Sequence, residues 1–203
     1  GHGLGVKPDV IIIKCRSNTD NWMVYHNQKN GGVDPEDYYL ELNSTSAGPN
    51  STVMLNDTAP TSTSVTIGSD NSVNGSSRTY VMYCFSEVAG YSKFGSYTGN
   101  GNASGPFVFL GFRPAWIMIK NTSSSGTWLM LDSKRRTFNP NGPSSSLYPN
   151  ENTAENTFGN ATGIDFLSNG FKLRDSIGYV NGSGNNIIYL AFAESPFKNS
   201  RAR

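Results

Sequence analysis

The apolar and polar residues of the chain alternate in short runs that are typical of β-strands. Residues 10–14 are rich in β-branched side chains, and apolar residues fall on both faces, as in a strand buried between two layers. A second strand is predicted at residues 22–25, after a polar turn of hairpin length. Further strands are predicted at residues 38–42, 64–67 and 79–87. The pattern indicates an all-β fold.

Helical periodicity is not sustained over three turns in any window, because Gly or Pro interrupts nearly every candidate. A helical turn is predicted only at residues 35–37 or at a matching segment near residues 150–156. Many short strands separated by Asn-Gly and Gly-Asn-Gly turns favour a sandwich or a jelly roll.

The chain also contains an internal repeat. Residues 4–14 match residues 110–120 without a gap, at an offset of 106 residues from Pro8 to Pro114. The Val-Asn-Gly-Ser run at residues 73–76 recurs at residues 180–183, at an offset of 107. Because the two offsets differ by one, the loops differ in length while the strands do not. We predict two tandem, internally duplicated β-sandwich (jelly-roll-like) units, at residues 1–92 and 93–203.

The two predicted units differ at their amino ends. A linker strand at residues 93–98 and an opening strand at residues 107–109 precede the repeat match of the second unit. The first unit has no such strand ahead of its match, which begins at Leu4. We therefore expect the first unit to be one strand short.

Composition narrows the range of partners. Charged residues make up 15% of the chain, the net charge is +1, and the longest basic run is residues 134–136, so no nucleic-acid partner is expected. The longest apolar stretches, residues 10–13 and 107–110, are too short to span a bilayer, so no membrane insertion is expected.

Candidate catalytic groups are sparse. His2 lies near the terminus. His26 ends a predicted strand, and its repeat counterpart is Asp132; a position that is His in one repeat and Asp in the other favours a turn or surface role. Glu87 and Glu194 are repeat counterparts, one in each unit, so they do not form the acid pair of a glycosidase. We expect no enzymatic activity.

Metal and cofactor sites are not expected either. No run of alternating Asp and Asn resembles a calcium loop, and residues 69–71 have ordinary turn chemistry. Cys15 and Cys84 lack the paired spacing of a zinc site; buried free thiols are favoured, with a disulfide as the alternative.

Aromatic side chains are the candidates for sugar binding, because aromatic faces stack on pyranose rings. Trp22, Trp116 and Trp128 fall in strand positions of the repeat, which favours a core role. Aromatic residues predicted to lie in loops are better candidates for glycan contacts, namely Tyr38, Tyr91, Tyr97, Phe138 and Tyr148.

Four segments of the chain resemble a repeat family in tail and fibre-like proteins of aquatic bacteriophages. They are Gly-His-Gly-Leu-Gly at residues 1–5, residues 83–101 with Ser-Lys-Phe-Gly-Ser-Tyr-Thr-Gly-Asn-Gly, Asp-Phe-Leu-Ser-Asn-Gly-Phe-Lys at residues 165–172, and Phe-Ala-Glu-Ser-Pro-Phe-Lys at residues 192–198. The resemblance implies a concanavalin-like or laminin-G-like β-sandwich repeat, a place in an extracellular virion, and no established catalytic residues.

The sequence thus predicts a virion structural module that self-assembles into a homo-oligomeric fibre or filament. A unit that lacks a strand exposes an edge that a strand from another subunit can satisfy. Candidate interface residues lie in the amino-terminal segment, the linker strand and the carboxyl tail, namely Gly1, His2, Gly3, Leu4, Lys93, Phe94, Tyr97, Phe197 and Arg203. The alternative is a module at a fibre tip that binds a host surface glycan.

Overall fold

The computed structural model describes residues 1–135, 146–155 and 163–195. Contacts divide the chain into two compact units, unit 1 at Gly1–Ser86 and unit 2 at Glu87–Arg203. The sequence placed the boundary six residues later, between residues 92 and 93, and so assigned residues 87–92 to the first unit. In the structure these residues lead directly into a strand of unit 2.

Unit 1 is built on one antiparallel sheet of four strands. The strands are β1 Val10–Cys15, β2 Trp22–His26, β3 Leu40–Glu41 and β4 Tyr80–Phe85, in the order β3-β2-β1-β4. A helical turn, α1 at Asn71–Asn74, precedes β4, and two 3-10 turns lie at Lys29–Gly32 and Pro35–Asp37. β1 is central, so its β-branched side chains are covered by strands on both sides.

The core of unit 1 lies on one face of this sheet. Ile11 and Ile13 from β1 and Met23 and Tyr25 from β2 alternate onto that face, because successive strand residues point to opposite sides. Val73 of α1 closes the cluster together with Met54 and Leu55 from the loop that precedes it.

Unit 2 contains two antiparallel sheets. Four strands follow the order β5-β11-β7-β8, and three follow the order β6-β10-β9. The strands are β5 Ser92–Thr98, β6 Phe107–Phe109, β7 Pro114–Asn121, β8 Leu129–Asp132, β9 Ile164–Leu167, β10 Gly170–Leu173 and β11 Asn186–Ala193, with a helical turn α2 at Gly178–Asn181.

One cluster of buried side chains joins the two sheets of unit 2. Ile119 of β7 and Tyr189 of β11 contribute from the four-stranded sheet, and Phe166 of β9 and Phe171 of β10 from the three-stranded sheet. The Phe171 and Tyr189 rings meet edge to face with centroids 5.5 Å apart, a favoured aromatic geometry. Two sheets around a shared core are compatible with a β-sandwich.

Strand pairing follows the offsets of the sequence repeat. Ile11 pairs with Tyr25 in β2, and Ile117 pairs with Leu131 in β8, 106 residues on. On the other side Ile11 pairs with Cys84, and Ile117 pairs with Ala191, which is 107 residues beyond Cys84. β1, β2 and β4 therefore have counterparts in β7, β8 and β11, with the same register.

The all-β prediction is confirmed, and so are the strands at β1, β2, β4, β5 and β6. The strand predicted at residues 64–67 is wrong: the segment is not in a strand, although Val65 and Ile67 pack against the core. At the repeat offset of 106 residues this segment corresponds to β10. β10 pairs with β6 and β9, and unit 1 has no strand corresponding to either, so the segment lacks partners.

The helical turns were only partly predicted. The turn at Pro35–Asp37 is present, whereas residues 150–155 contain no helix. The turns α1 and α2 were missed, because four residues are too few to produce a helical period. Across the described ranges, no helix is both long and apolar enough to cross a membrane.

Candidate functional site

The outer side of β4 is an open sheet edge. The carbonyl of Phe85 accepts the N–H of Asp9 at 2.8 Å on the inner side, so the odd-numbered residues of β4 face β1. The backbone groups of Met82 and Cys84 therefore point away from the sheet. Among the residues that the structure describes, none hydrogen-bonds to them. An unpaired row of this kind is a template for another strand.

The side chains of this edge are apolar and partly exposed. Met82 is 39% exposed and Tyr83 is 47% exposed, and no residue of β4 is fully buried. The outer-face side chains Val81 and Tyr83 also border an open groove of about 720 Å³ next to Lys14 and Trp22. Large exposed apolar side chains beside open backbone groups are typical of a contact surface.

The corresponding edge in unit 2 is covered. β5 pairs along the whole of β11, with Gly95 opposite Tyr189 and Lys93 opposite Ala191. Tyr189 and Leu190 are each only 3% exposed. Glycine fits best at position 95, because a Cβ there would lie 2.5 Å from the Tyr189 hydroxyl oxygen and would displace the ring.

The linker residues proposed as interface contacts lie within this covered edge. Phe94 is buried, and its ring meets that of Phe192 edge to face at 5.8 Å. Lys93 extends its ammonium group over the Phe109 ring, 5.6 Å from the centroid. Tyr97 lies in β5 and not in a loop, so the loop position predicted for it is wrong, and its side chain is buried.

The other interface candidates divide into two groups. The terminal residues Gly1, Gly3 and Leu4 are exposed, while His2 Nε2 lies 3.2 Å from the carbonyl oxygen of Thr61 in the same unit. Phe197 and Arg203 lie outside the described residues.

The glycan candidates that the structure describes have different surroundings. Tyr91 is exposed and stacks edge to face on Phe192, whereas Tyr38 lies beneath the Lys29 ammonium group, 4.8 Å from the ring centroid. Burial lowers the pKa of Lys29. Phe138 lies outside the described residues.

Tyr148 lines a pocket of about 460 Å³ in unit 2. Tyr179 lies beside it, and burial, followed by the charge of Tyr148, raises the pKa of Tyr179 above its ordinary value. The remaining lining residues are Thr127, Glu151, Thr153, Ala154 and Glu155. Sequence reasoning found Tyr148 but missed Tyr179, which follows Gly178 in a segment with no strand pattern.

The titratable groups considered for catalysis make structural contacts. A turn or surface role was predicted for His26. It is buried and not at the surface, but it does serve the turn after β2, where the Gln28 N–H donates to its Nδ1 at 3.1 Å. Glu194 pairs with Arg113 at 3.0 Å. Within the described parts of the chain, no group of three or more His, Cys, Asp or Glu side chains is placed to hold a metal ion.

Asp132, the counterpart of His26, closes the turn after β8. Its Oδ1 accepts the N–H groups of Lys134 at 3.0 Å and Arg135 at 2.9 Å. Burial raises the pKa of Asp132, but these hydrogen bonds and the Arg135 guanidinium outweigh burial and lower it overall.

The burial predicted for the tryptophans and cysteines is found for some of them and not for others. Trp128 is fully buried, but Trp22 and Trp116 are half-buried, because both lie on the sheet face opposite the main core. Both cysteines are free thiols, with Cys15 buried and Cys84 half-buried. Burial raises the pKa of Cys84.

Comparison with known proteins gives a family. No curated protein matches the chain, and no solved structure matches it. The family described as a domain of unknown function, DUF7483, matches residues 1–196, which is nearly all of the 203-residue sequence. The chain therefore belongs to the DUF7483 family.

Proposed function

We propose that the chain is a structural protein of a bacteriophage tail or fibre, and that it self-assembles into a homo-oligomer in the extracellular virion. The virion setting is supported by the resemblance of residues 83–101 and 165–172 to tail and fibre repeats. The two units are, in this proposal, copies of one jelly-roll-like sandwich. The shared register of β1, β2 and β4 with β7, β8 and β11 supports that duplication.

The observation that carries the assembly proposal is the open edge of β4. Backbone N–H and C=O groups along a sheet edge gain hydrogen bonds when a further strand is added, and Met82 and Tyr83 gain apolar cover. A contact between β4 of one copy and a different surface of the next is heterologous, so it closes into rings or propagates into filaments. The proposal includes no catalytic step and no cofactor.

Light scattering of the full chain across the micromolar range tests self-assembly. We expect Met82→Lys to raise the dissociation constant at least tenfold, because a charged side chain at an edge opposes strand addition. Val33→Lys is the matched control, since Val33 is also apolar and exposed but lies outside the sheet. A wild-type chain that remains monomeric at these concentrations would contradict the proposal.

A glycan-binding module at a fibre tip is the second candidate, and the pocket at Tyr148 favours it. The pocket offers two tyrosines and two carboxylates, a combination that suits a sugar ring and its hydroxyl groups. A glycan array with the wild-type chain and Tyr148→Ala tests it, with Tyr91→Ala as the control for an exposed tyrosine elsewhere. Equal glycan profiles for the wild type and Tyr148→Ala would exclude binding at this pocket.

A further inference from the structure

We infer that the outer side of β4 and the turn α1 recognise one class of partner: a polypeptide segment with the sequence pattern of β5 and of the turn that follows it. The inference rests on the proposed function only in treating the β4 edge as a contact surface. In unit 2 such an edge is covered by β5. Unit 1 has no such strand, but it retains the groups of α1 that would bind one.

In unit 2, Tyr97 holds β5 in place. Tyr97 pairs with Ile187 of β11, and its hydroxyl donates to the carbonyl of Val180 in α2 at 2.7 Å. Its ring meets the Phe171 ring edge to face, with centroids 6.0 Å apart. β5 is thus anchored both along the sheet and at the helical turn.

The counterpart carbonyl in unit 1 has no such donor. Val73 of α1 corresponds to Val180, and its side chain is buried in the core. Among the described residues no donor bonds to the Val73 carbonyl. The Tyr80 hydroxyl donates to the Asn71 carbonyl instead, at 2.6 Å. The Val73 carbonyl is therefore left for a tyrosine of an incoming strand.

The turn after β5 is held by Asn181, which is 0% exposed. Its Oδ1 accepts the N–H of Asn100 at 2.9 Å, and its Nδ2 lies 3.0 Å from Asn100 Oδ1. Nδ2 also donates to the carbonyls of Asn102 at 2.8 Å and Asp175 at 2.7 Å. One buried amide therefore fixes the conformation of the whole turn.

Asn74 is the counterpart of Asn181 in the same Val-Asn-Gly-Ser run, but it is exposed. Its Nδ2 donates to the carbonyl of Gly68 at 3.0 Å, and Gly68 is the counterpart of Asp175. The bonds that Asn181 makes to Asn100 and Asn102 have no equivalent at Asn74 in the described structure. Unit 1 therefore keeps the amide of the repeat without the turn that it holds in unit 2.

The shared register specifies how the partner lies. The incoming strand runs antiparallel to β4, with its lysine position opposite Cys84 and its glycine position opposite Met82. Its tyrosine lies opposite Tyr80, within reach of the α1 turn. The Asn-Gly-Asn turn after the strand then meets Asn74.

A synthetic peptide with the sequence of residues 90–104 tests this recognition in the full-length chain. Fluorescence anisotropy measures the affinity for the wild type, for Asn74→Ala and for Asn50→Ala. Asn50 is also exposed, but it bridges to Tyr38 on the other side of the sheet, so Asn50→Ala is the matched control. We expect Asn74→Ala to weaken binding at least tenfold and Asn50→Ala to leave it unchanged.

Disulfide exchange tests the register independently. A peptide carrying Lys93→Cys as its thiopyridyl mixed disulfide is attacked by the Cys84 thiolate, which forms the new S–S bond and releases the pyridinethiol. Opposed residues that exchange hydrogen bonds lie about 5.5 Å apart at Cα, within disulfide range. The Phe94→Cys peptide places its sulfur on the opposite face and should react at least tenfold more slowly. Cys84→Ser, which lacks the attacking thiol, is the negative control.

The outcomes separate this inference from the proposed assembly. Binding of the peptide to a monomeric chain, with the expected Asn74 and register effects, supports the inference and contradicts self-assembly. An oligomer that binds no peptide at millimolar concentration overturns the inference and leaves assembly standing. Equal exchange rates for the two cysteine peptides, or equal affinities of Asn74→Ala and Asn50→Ala, also overturn it.

Discussion

Strands β4 and β11 are counterparts with the same partner register, yet they are buried to very different degrees. Tyr189 in β11 is 3% exposed, and Met82 at the corresponding place in β4 is 39% exposed. Each strand pairs with its central neighbour, β1 or β7, in the same way. The difference has two sources in unit 2: β5 adds backbone pairing and the buried rings of Phe94 and Tyr97, and the three-stranded sheet packs Phe171 against Tyr189.

The comparison teaches that the burial of a strand depends on the strand and the sheet packed against it more than on its own sequence. Tyr80–Phe85 in β4 is as apolar as the central part of β11. Burying a large apolar side chain stabilises the fold by about 1.5–3 kcal/mol, so β5 adds several such contributions to unit 2. The following substitutions test how far the two units differ.

The largest difference is expected between Tyr189→Ala and Met82→Ala. Tyr189 packs against the Phe171 and Tyr97 rings, so its truncation should lower the free energy of unfolding by about 3–5 kcal/mol. Met82→Ala removes a partly exposed side chain and should cost under about 1 kcal/mol. Urea denaturation of both variants measures the difference, and equal losses would contradict it.

A smaller difference is expected between Asn181→Ala and Asn74→Ala. The first leaves the carbonyls of Asn102 and Asp175 without their buried donor, which should cost about 2–3 kcal/mol. The second removes one hydrogen bond at an exposed site and should cost about 0.5 kcal/mol or less in the absence of a partner. Thermal unfolding gives the ranking; a destabilised Asn74→Ala would mean that the amide already has a structural role in unit 1.

The fit of β5 against β11 is tested by Gly95→Ala. The added methyl group would lie 2.5 Å from the Tyr189 hydroxyl oxygen, so the ring must shift within a packed core, at a cost of about 1–2 kcal/mol. Combining Gly95→Ala with Tyr189→Phe should recover part of this loss, because the hydroxyl is gone. A double-mutant cycle by chemical denaturation measures the coupling, and strict additivity would count against the close contact.

The smallest effect is expected at Asp132, where unit 1 has His26. The pKa of Asp132 is lower in the folded state than in the unfolded chain, so its contribution is present above the unfolded value of about 4 and is lost as the pH falls through the folded value. Asp132→Asn should cost about 1 kcal/mol at neutral pH. That deficit should shrink as the pH falls below about 4, the unfolded value. Unfolding curves at several pH values follow it, and a deficit independent of pH would contradict the linkage.

Much of the fold was predictable from the sequence, because its central strands carry a local signal. The β-branched run in β1 and the alternation in β2 identify strands without knowledge of their partners. Local pattern fails where pairing decides the outcome. Residues 64–67 have a strand pattern but no neighbour, so they form no strand.

The candidate site was less predictable than the fold. The sequence indicated that the first unit lacks a strand, and it predicted a strand at residues 93–98, but it placed this strand in a linker and proposed its aromatic residues as interface and glycan contacts. These residues form β5 and pair with β11, about ninety residues later, a separation over which local pattern carries no information. The roles of Asn74 and Asn181 were also missed, because an asparagine before glycine in a turn-rich chain has no distinctive signal.

The composition of β4 has a further consequence for the behaviour of the protein in solution. Its six residues, Tyr-Val-Met-Tyr-Cys-Phe, contain no charge, no proline and no glycine. Segments of this kind stack readily into cross-β fibrils when they are left uncovered. The uncovered edge of β4 is therefore an aggregation-prone segment, and a partner strand that covers it would also shield it from fibril formation.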